Sequence, residues 1–136
     1  MTTFNPDKNF KYDLEFGELW EKKLNNILEN KKLELKTERG IWVNTGNLAV
    51  EISYRGKPSG LRTTQAEYWM HLLESEGDLF ASVMVEVAVL KKVIDKMVNS
   101  DKARIVMGGD DMQSELVLVP MSELFKRNNN YPREVL

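Results

Sequence analysis

Cysteine is absent from the 136-residue sequence, and histidine occurs once. Without thiols the chain forms no disulfide framework, no thiolate zinc site and no cysteine nucleophile, and this composition fits a reducing compartment. No apolar run approaches the roughly 20 residues that a membrane span requires, and the N-terminus lacks the apolar core of a secretory signal. These absences predict a cytoplasmic protein without membrane contact.

The chain also lacks a strong excess of charge, since its formal net charge is −2. This value argues against a protein that coats nucleic acid indiscriminately. The charge is uneven, because residues 1–62 hold eleven Lys and Arg against nine Asp and Glu, whereas residues 63–136 hold eight against twelve. Any nucleic acid is therefore expected to bind the first half.

The composition predicts an ordinary folded protein, with 42% hydrophobic and 29% charged residues. A chain of 136 residues is long enough to bury a core as a single domain. Residues 1–12 contain Pro6 and lack apolar periodicity, so we expect a flexible N-terminal arm. The domain itself is expected over residues 13–136.

Apolar spacing predicts a mixture of helices and strands. We expect helices over residues 16–30, 63–73, 87–98 and 121–126, and strands over 33–36, 47–54, 79–85, 103–107 and 115–119. Residues 40–46 and 55–60 are rich in turn residues and are expected to be loops. The order predicts an α/β or α+β domain with a mixed central sheet flanked by helices.

Three glutamates and a lysine form the cluster that suggests chemistry: Glu21 on the first helix, Glu34 and Lys36 on the first strand, and Glu51 on the second. Carboxylates on adjacent strands can hold Mg²⁺, which prefers oxygen ligands. A lysine beside them can orient the attacking water and stabilise negative charge on phosphorus. Alternating charge on a strand is more often just a solvated face.

Several separated motifs resemble a phage-type branch of the PD-(D/E)xK nuclease superfamily. They read Asp13-Leu-Glu-Phe-Gly17 with Glu21 four residues on, Leu33-Glu-Leu-Lys-Thr-Glu-Arg39, Thr45-Gly-Asn-Leu-Ala-Val-Glu51, Gly56-Lys-Pro-Ser-Gly60 and Thr63-Thr-Gln-Ala-Glu-Tyr-Trp69. The likeness covers about half of the chain, and its most specific part is Gly-Lys-Pro-Ser-Gly followed by Ala-x-Tyr-Trp.

The resemblance implies a restriction-endonuclease-like core in which a helix precedes a hairpin-like strand pair with the active site. It implies Mg²⁺ or Mn²⁺ as cofactor, DNA as substrate, and phage origin, which places the protein in the host cytoplasm. A role in DNA recombination, repair or degradation would fit. Carried over, Glu21 is the helix carboxylate, Glu34 and Glu51 are metal ligands, and Lys36 is the catalytic lysine.

The chain departs from the superfamily pattern, which places an Asp on one strand and Glu-x-Lys on the next. Here neither strand has an Asp, and Glu38 stands where related sequences tend to have Asp. Either Glu34 takes the Asp role with Lys36 on the first strand and Glu51 as second carboxylate, or the ligand set differs. The alternative function is a non-catalytic nucleic-acid-binding or assembly module on the same fold.

The remaining candidates each have a plainer interpretation. Five residues near the cluster are candidate DNA contacts, although the loop could be a simple turn and the cations could balance local acids: Arg39, Arg55, Lys57, Ser59 and Arg62. His71 is expected to be structural or on the surface, and Trp69 to pack helix 63–73 on the sheet rather than stack on bases. The apolar region 79–98 is expected to serve the core, with a homodimer contact as the alternative.

Overall fold

A computed structural model describes residues 6–30 and 32–126. Along these residues the helices and strands follow in the order α1 (Pro6–Glu29), β1 (Leu33–Glu38), α2 (Trp42–Thr45), β2 (Asn47–Tyr54), β3 (Lys57–Pro58), β4 (Tyr68–Ser75), β5 (Asp78–Glu86), α3 (Val87–Asn99), β6 (Arg104–Gly108), β7 (Ser114–Pro120) and α4 (Met121–Leu124). A 3-10 turn, Gly60–Arg62, follows β3. The chain is a single small α+β domain, as predicted.

The strands form two sheets instead of the single central sheet that we expected. One sheet has the order β1-β4-β5, with β1 parallel to β4, and the other has the antiparallel order β3-β2-β7-β6. The expected hairpin-like pairing of the first two strands is therefore wrong. β2 instead forms a hairpin with β3 through Arg55 and Gly56, whose positive φ angles of 50° and 77° suit a two-residue hairpin turn.

The core is built from both sheets and α3. The buried residues of β2, β7 and α3 meet Trp69 and Leu73 of β4; the buried apolar members of the first three are Leu48, Val50, Ile52, Val117, Val119, Val87, Leu90, Val93, Ile94 and Met97. β2 therefore turns its apolar face towards this core. Glu51, next to Val50 and Ile52, points to the opposite face because side chains alternate along a strand.

The predicted helix over residues 63–73 is wrong, because Tyr68–Ser75 is strand β4. Trp69, His71 and Leu73 are buried and alternate with the partly exposed Met70 and Leu72. Met and Leu are good helix formers, and two threonines at 63 and 64 resemble a helix cap. Pairing with β1 on one side and β5 on the other overrides this local preference.

Helix α1 starts at Pro6, ten residues before the expected start at Phe16, and ends at Glu29. Residues 6–12 of the expected flexible arm are thus helical, and residues 1–5 lie outside the described residues. The large apolar side chains of α1 are mostly exposed, and we call the following eight its apolar side: Phe10, Tyr12, Leu14, Phe16, Leu19, Trp20, Leu24 and Leu28. Only Ile27, among the described apolar residues of the helix, is buried.

The other predicted strands and helices are confirmed, with small changes at their ends. Residues 40–46, expected to be a loop, contain the one-turn helix α2, which ends at Gly46 with a left-handed φ of 69°. Gly fits there because it has no Cβ to clash in that conformation. Within the described ranges, no helix combines the length and the apolar character needed to cross a membrane.

Candidate functional site

Strand β1 places its charged residues on the inner side of the sheet and Leu35 on the outer side. Glu34, Lys36 and Glu38 are only partly exposed, whereas Leu35, which lies between the first two, is 54% exposed. We call these three charged residues the inward face of β1. The alternation alone would predict the reverse, with Leu35 buried and the charged side chains exposed.

Lys36 has two partners on this face. Its Nζ lies 3.1 Å from Oε1 of Glu34, and both side chains are about two-fifths exposed. The same ammonium lies 5.4 Å from the ring centre of Trp69, within the range of a cation–π contact. The structure therefore brings two of the predicted site residues, Glu34 and Lys36, into direct contact.

Glu38 links the two sheets. Its Oε1 accepts a hydrogen bond of 2.6 Å from the backbone N–H of Ala49 on β2 and lies 3.1 Å from Nδ1 of His71 on β4. Trp69 Nε1 donates a 2.7 Å hydrogen bond to His71 Nε2, so this nitrogen is the acceptor and Nδ1 is free to carry the proton. The contact of Nδ1 with Glu38 is close but poorly aligned as a hydrogen bond.

His71 is therefore a structural residue of a strand, 2% exposed, and not a residue of the helix in which we expected it. Trp69 is 1% exposed and belongs to the core. Its expected packing role is confirmed, although it packs from a strand.

Glu51 is held by two serine hydroxyls. Ser59 Oγ donates to Oε2 at 3.0 Å, and Ser114 Oγ, from β7, donates to Oε1 at 2.7 Å. Ser59 is thus the partner of a predicted site carboxylate. These contacts fix the orientation of the Glu51 carboxylate.

The Gly-Lys-Pro-Ser-Gly loop folds onto Glu51. Ser59 N–H bonds to the carbonyl of Ile52 at 3.1 Å, and Gly60 follows with a φ of 55°. A Cβ built on Gly60 would lie 2.2 Å from the carbonyl oxygen of Glu51. Only glycine allows this close approach, so the loop packs against the backbone of Glu51 in addition to reversing the chain.

The three predicted metal ligands, Glu21, Glu34 and Glu51, lie on three different elements. Glu21 is exposed on α1, while Glu34 and Glu51 lie on strands of different sheets. Among the described side chains, those of residues 10–30 and 32–126, no three acidic or histidine residues are grouped closely enough to hold a metal ion. In the described structure Glu34 contacts Lys36 and Glu51 contacts Ser59. The three predicted ligands do not form one metal site there.

The four predicted DNA-contacting cations are all exposed, and two of them, Arg55 and Arg62, have different neighbours. Arg55 Nη2 lies 3.8 Å from Asp111, and its guanidinium lies 5.2 Å from the Tyr54 ring centre. Arg62 lines a groove of about 320 Å³ together with Ile52 and Ile94. Because Ile52 faces the core side of β2, this groove lies on the face opposite to Glu51.

Tyr54 and Asp111 join the end of β2 to the turn between β6 and β7. The Tyr54 hydroxyl donates to Asp111 Oδ2 at 2.5 Å. This hydrogen bond is the main cause that lowers the pKa of Asp111 and raises the pKa of Tyr54. The pair stabilises the turn next to Arg55, one of the predicted DNA contacts.

Three residues that organise this region were not among the predicted site residues: Glu38, His71 and Ser114. Glu38 had a visible signal, because it shares the period-two face of Glu34 and Lys36. His71 would have been found from the alternation of residues 69, 71 and 73. Ser114 lies 63 positions from Glu51, so only the pairing of β2 with β7 brings it there.

Comparisons with protein-family models, with curated proteins and with solved structures found no match.

Proposed function

We propose that the protein is a metal-dependent DNA endonuclease that hydrolyses phosphodiester bonds, with Lys36, Glu34 and Glu51 at its centre. The inward face of β1 carries the proposal. The strand keeps the side chains of Glu34 and Lys36 only about two-fifths exposed while Leu35 is 54% exposed, which is the reverse of the usual hydrophobic pattern. A departure of this kind from the hydrophobic pattern is typical of a functional site.

Mg²⁺ or Mn²⁺ would be the cofactor, because both ions take carboxylate oxygens as ligands. Mg²⁺ is commonly held by one or two carboxylates and by substrate phosphates, so Glu34 and Glu51 would suffice as protein ligands. A bound metal ion would polarise the phosphoryl group and activate water. Glu21 is a third candidate carboxylate, which rests on the resemblance to PD-(D/E)xK nucleases alone.

The chain's own residues supply the remaining parts of the mechanism. The Lys36 ammonium can orient the attacking water and stabilise the charge that develops on the phosphate. Ser59 and Ser114 act as positioning residues, because their hydroxyls fix the two oxygens of Glu51. Arg39, Arg55 and Lys57 are exposed cations that would attract the phosphate backbone, whereas Arg62 would act from the groove on the opposite face of β2.

A second candidate is a non-catalytic nucleic-acid-binding or assembly module, which one observation favours. Each acid of the site already has a partner: Glu34 is paired with Lys36, Glu38 with Ala49 and His71, and Glu51 with two serines. A polar network that is satisfied in this way can serve structure alone. Metal binding separates the two candidates.

The decisive experiment is cleavage of linear, single-stranded and branched DNA with Mg²⁺ or Mn²⁺, in which wild type is compared with Lys36→Ala, Glu34→Gln and Glu51→Gln. We expect each substitution, and EDTA, to lower the rate by about 100-fold or more. Glu76→Gln, in the exposed turn between β4 and β5, is the matched control and should cut like wild type.

Calorimetric titration with Mn²⁺ completes the test. We expect wild type to bind Mn²⁺ and both glutamine variants to lose binding. A folded wild-type protein that neither cuts DNA nor binds the ion would support the non-catalytic module. Undiminished cutting by Lys36→Ala would contradict the proposed role of the lysine.

A further inference from the structure

The apolar side of α1 is a large surface for which the described part of the chain provides almost no cover. Every described side chain from residue 10 to residue 26 is exposed, including Phe16 at 53% and Trp20 at 51%. Apolar side chains scattered singly are ordinary on a protein surface, but a continuous patch along one helix marks an interaction surface.

The other end of α1 is anchored to its own domain. Ile27 is buried, and the carbonyl of Lys32 accepts hydrogen bonds from the N–H groups of Glu67 and Tyr68 at 2.9 and 3.0 Å. Lys32 Nζ also lies 3.3 Å from Glu67. These contacts hold the C-terminal end of α1 and the residues after it near the start of β4.

A second apolar surface lies on the outer face of the β1-β4-β5 sheet, the face opposite to Trp69 and His71. Leu35, Met70 and Met84 are neighbours in register across its three strands. Leu35 is 54% and Met84 is 37% exposed, and Met70 is partly exposed. Sheets with one apolar face normally pack that face against a helix or another sheet.

We propose that the apolar side of α1 packs on the outer face of the β1-β4-β5 sheet of a second copy of this chain, and that the second copy returns the same contact. One arrangement then covers both exposed surfaces. A two-fold dimer makes each contact twice, because its interface is formed by the same residues of both copies.

The size of the surface fits a stable dimer. Eight large apolar side chains, exposed by roughly 100 Å² each, give about 800 Å², of which one sheet face would cover about half because they spread around more than half of the helix. Since the exchange occurs twice and also covers the sheet, the total area would reach that of a standard protein interface.

Charge argues against pairing of two α1 helices side by side in parallel. Residues 13–21 contain four acids and no base: Asp13, Glu15, Glu18 and Glu21. A parallel pair would set these acids against their own copies, which is destabilising. Pairing of helices in either direction would also leave the outer sheet face uncovered.

The test is the oligomeric state in solution, measured by sedimentation equilibrium, for wild type, Trp20→Asp and Leu35→Asp. We expect a dimeric wild type and two monomeric variants that keep their circular dichroism spectra. Glu18→Gln, a charged position elsewhere on α1, and Glu76→Gln are controls that should stay dimeric.

Mixing the two monomeric variants distinguishes exchange from pairing of helices. The Leu35→Asp chain keeps an intact α1 and the Trp20→Asp chain keeps an intact sheet face, so the mixture should form a heterodimer through one contact. A monomeric wild type would overturn the proposal, as would a Leu35→Asp variant that remains dimeric or a mixture without heterodimer. None of these outcomes depends on nuclease activity.

Discussion

The inward face of β1 shows how single residues balance the cost of burying charge. A charge that is taken out of water needs a partner, and the more it is buried the more the loss of that partner destabilises the fold. Lys36 is compensated by Glu34, and Glu38 by the Ala49 N–H and by His71. The pairing explains how the strand tolerates three charged residues on its inner side.

Tyr54 and Asp111 give a prediction at the same scale. Tyr54→Phe removes the hydrogen bond that contributes most to the lowered pKa of Asp111, so this pKa should rise towards its ordinary value. NMR titration of the Asp111 side-chain carboxyl carbon measures the shift. Tyr68→Phe is the matched control and should leave the pKa of Asp111 unchanged.

The sign of the linked pH effect follows from the lowered pKa. An aspartate whose pKa is lower in the folded state stabilises the protein above its unfolded pKa, and this contribution is lost as the pH falls through the folded value. The stability difference between wild type and Tyr54→Phe should therefore shrink in acid. A difference that grows as the pH falls below the range of ordinary aspartates would contradict the assignment.

At the scale of elements, the hairpin β2–β3 and the turn that follows it hold Glu51 in place. The hairpin reverses the chain at Arg55 and Gly56, and the 3-10 turn returns the chain to β2, where Gly60 touches the backbone of Glu51. The resemblance to PD-(D/E)xK nucleases drew attention to this segment through its sequence, Gly56-Lys-Pro-Ser-Gly60. The structure gives a physical reason for its second glycine.

Gly60→Ala tests that reason. Alanine at a positive φ is strained, and its Cβ would clash with the Glu51 carbonyl, so we expect a loss of about 2–4 kcal/mol in the free energy of unfolding. Urea denaturation measures the loss. Gly40→Ala is the control, because nothing lies within 4 Å of its Cβ and its φ is not in the left-handed range. Equal stability of both variants would contradict the proposed fit.

At the scale of the whole molecule, the proposed nuclease has a small negative net charge and must attract DNA locally. Lys57 is exposed at the tip of the β2–β3 hairpin, next to the loop that supports Glu51. Lys57 belongs to residues 1–62, in which basic residues outnumber acidic ones, whereas acidic residues outnumber basic ones in residues 63–136. Binding through a few such cations should depend on salt concentration.

Lys57→Ala provides the corresponding prediction. If Lys57 contacts one phosphate, its removal should reduce the slope of log affinity against log salt by about 1, with little effect on sequence preference. Fluorescence anisotropy with labelled DNA at several salt concentrations measures the slope. Lys92→Ala, an exposed position on α3, is the control, and an equal change in both variants would count against a specific contact.

The sequence by itself determined the elements whose apolar period is clear. The alternation of Leu48, Val50 and Ile52 fixed β2, and the helical spacing in 87–98 fixed α3. Both patterns report burial of one face, which a local sequence can express. The α+β class and the pairing of Glu34 with Lys36 on a single strand face followed in the same way.

Only the tertiary structure decided which strands pair and which faces are buried. Local propensity made 63–73 look helical, but partners from distant parts of the chain made Tyr68–Ser75 a central strand. The alternation in β1 predicted that Leu35 is buried, yet it is 54% exposed, and Glu34, Lys36 and Glu38 lie on the inner side. Strand pairing and burial depend on residues far apart in sequence, such as Glu51 and Ser114, so no local pattern could specify them.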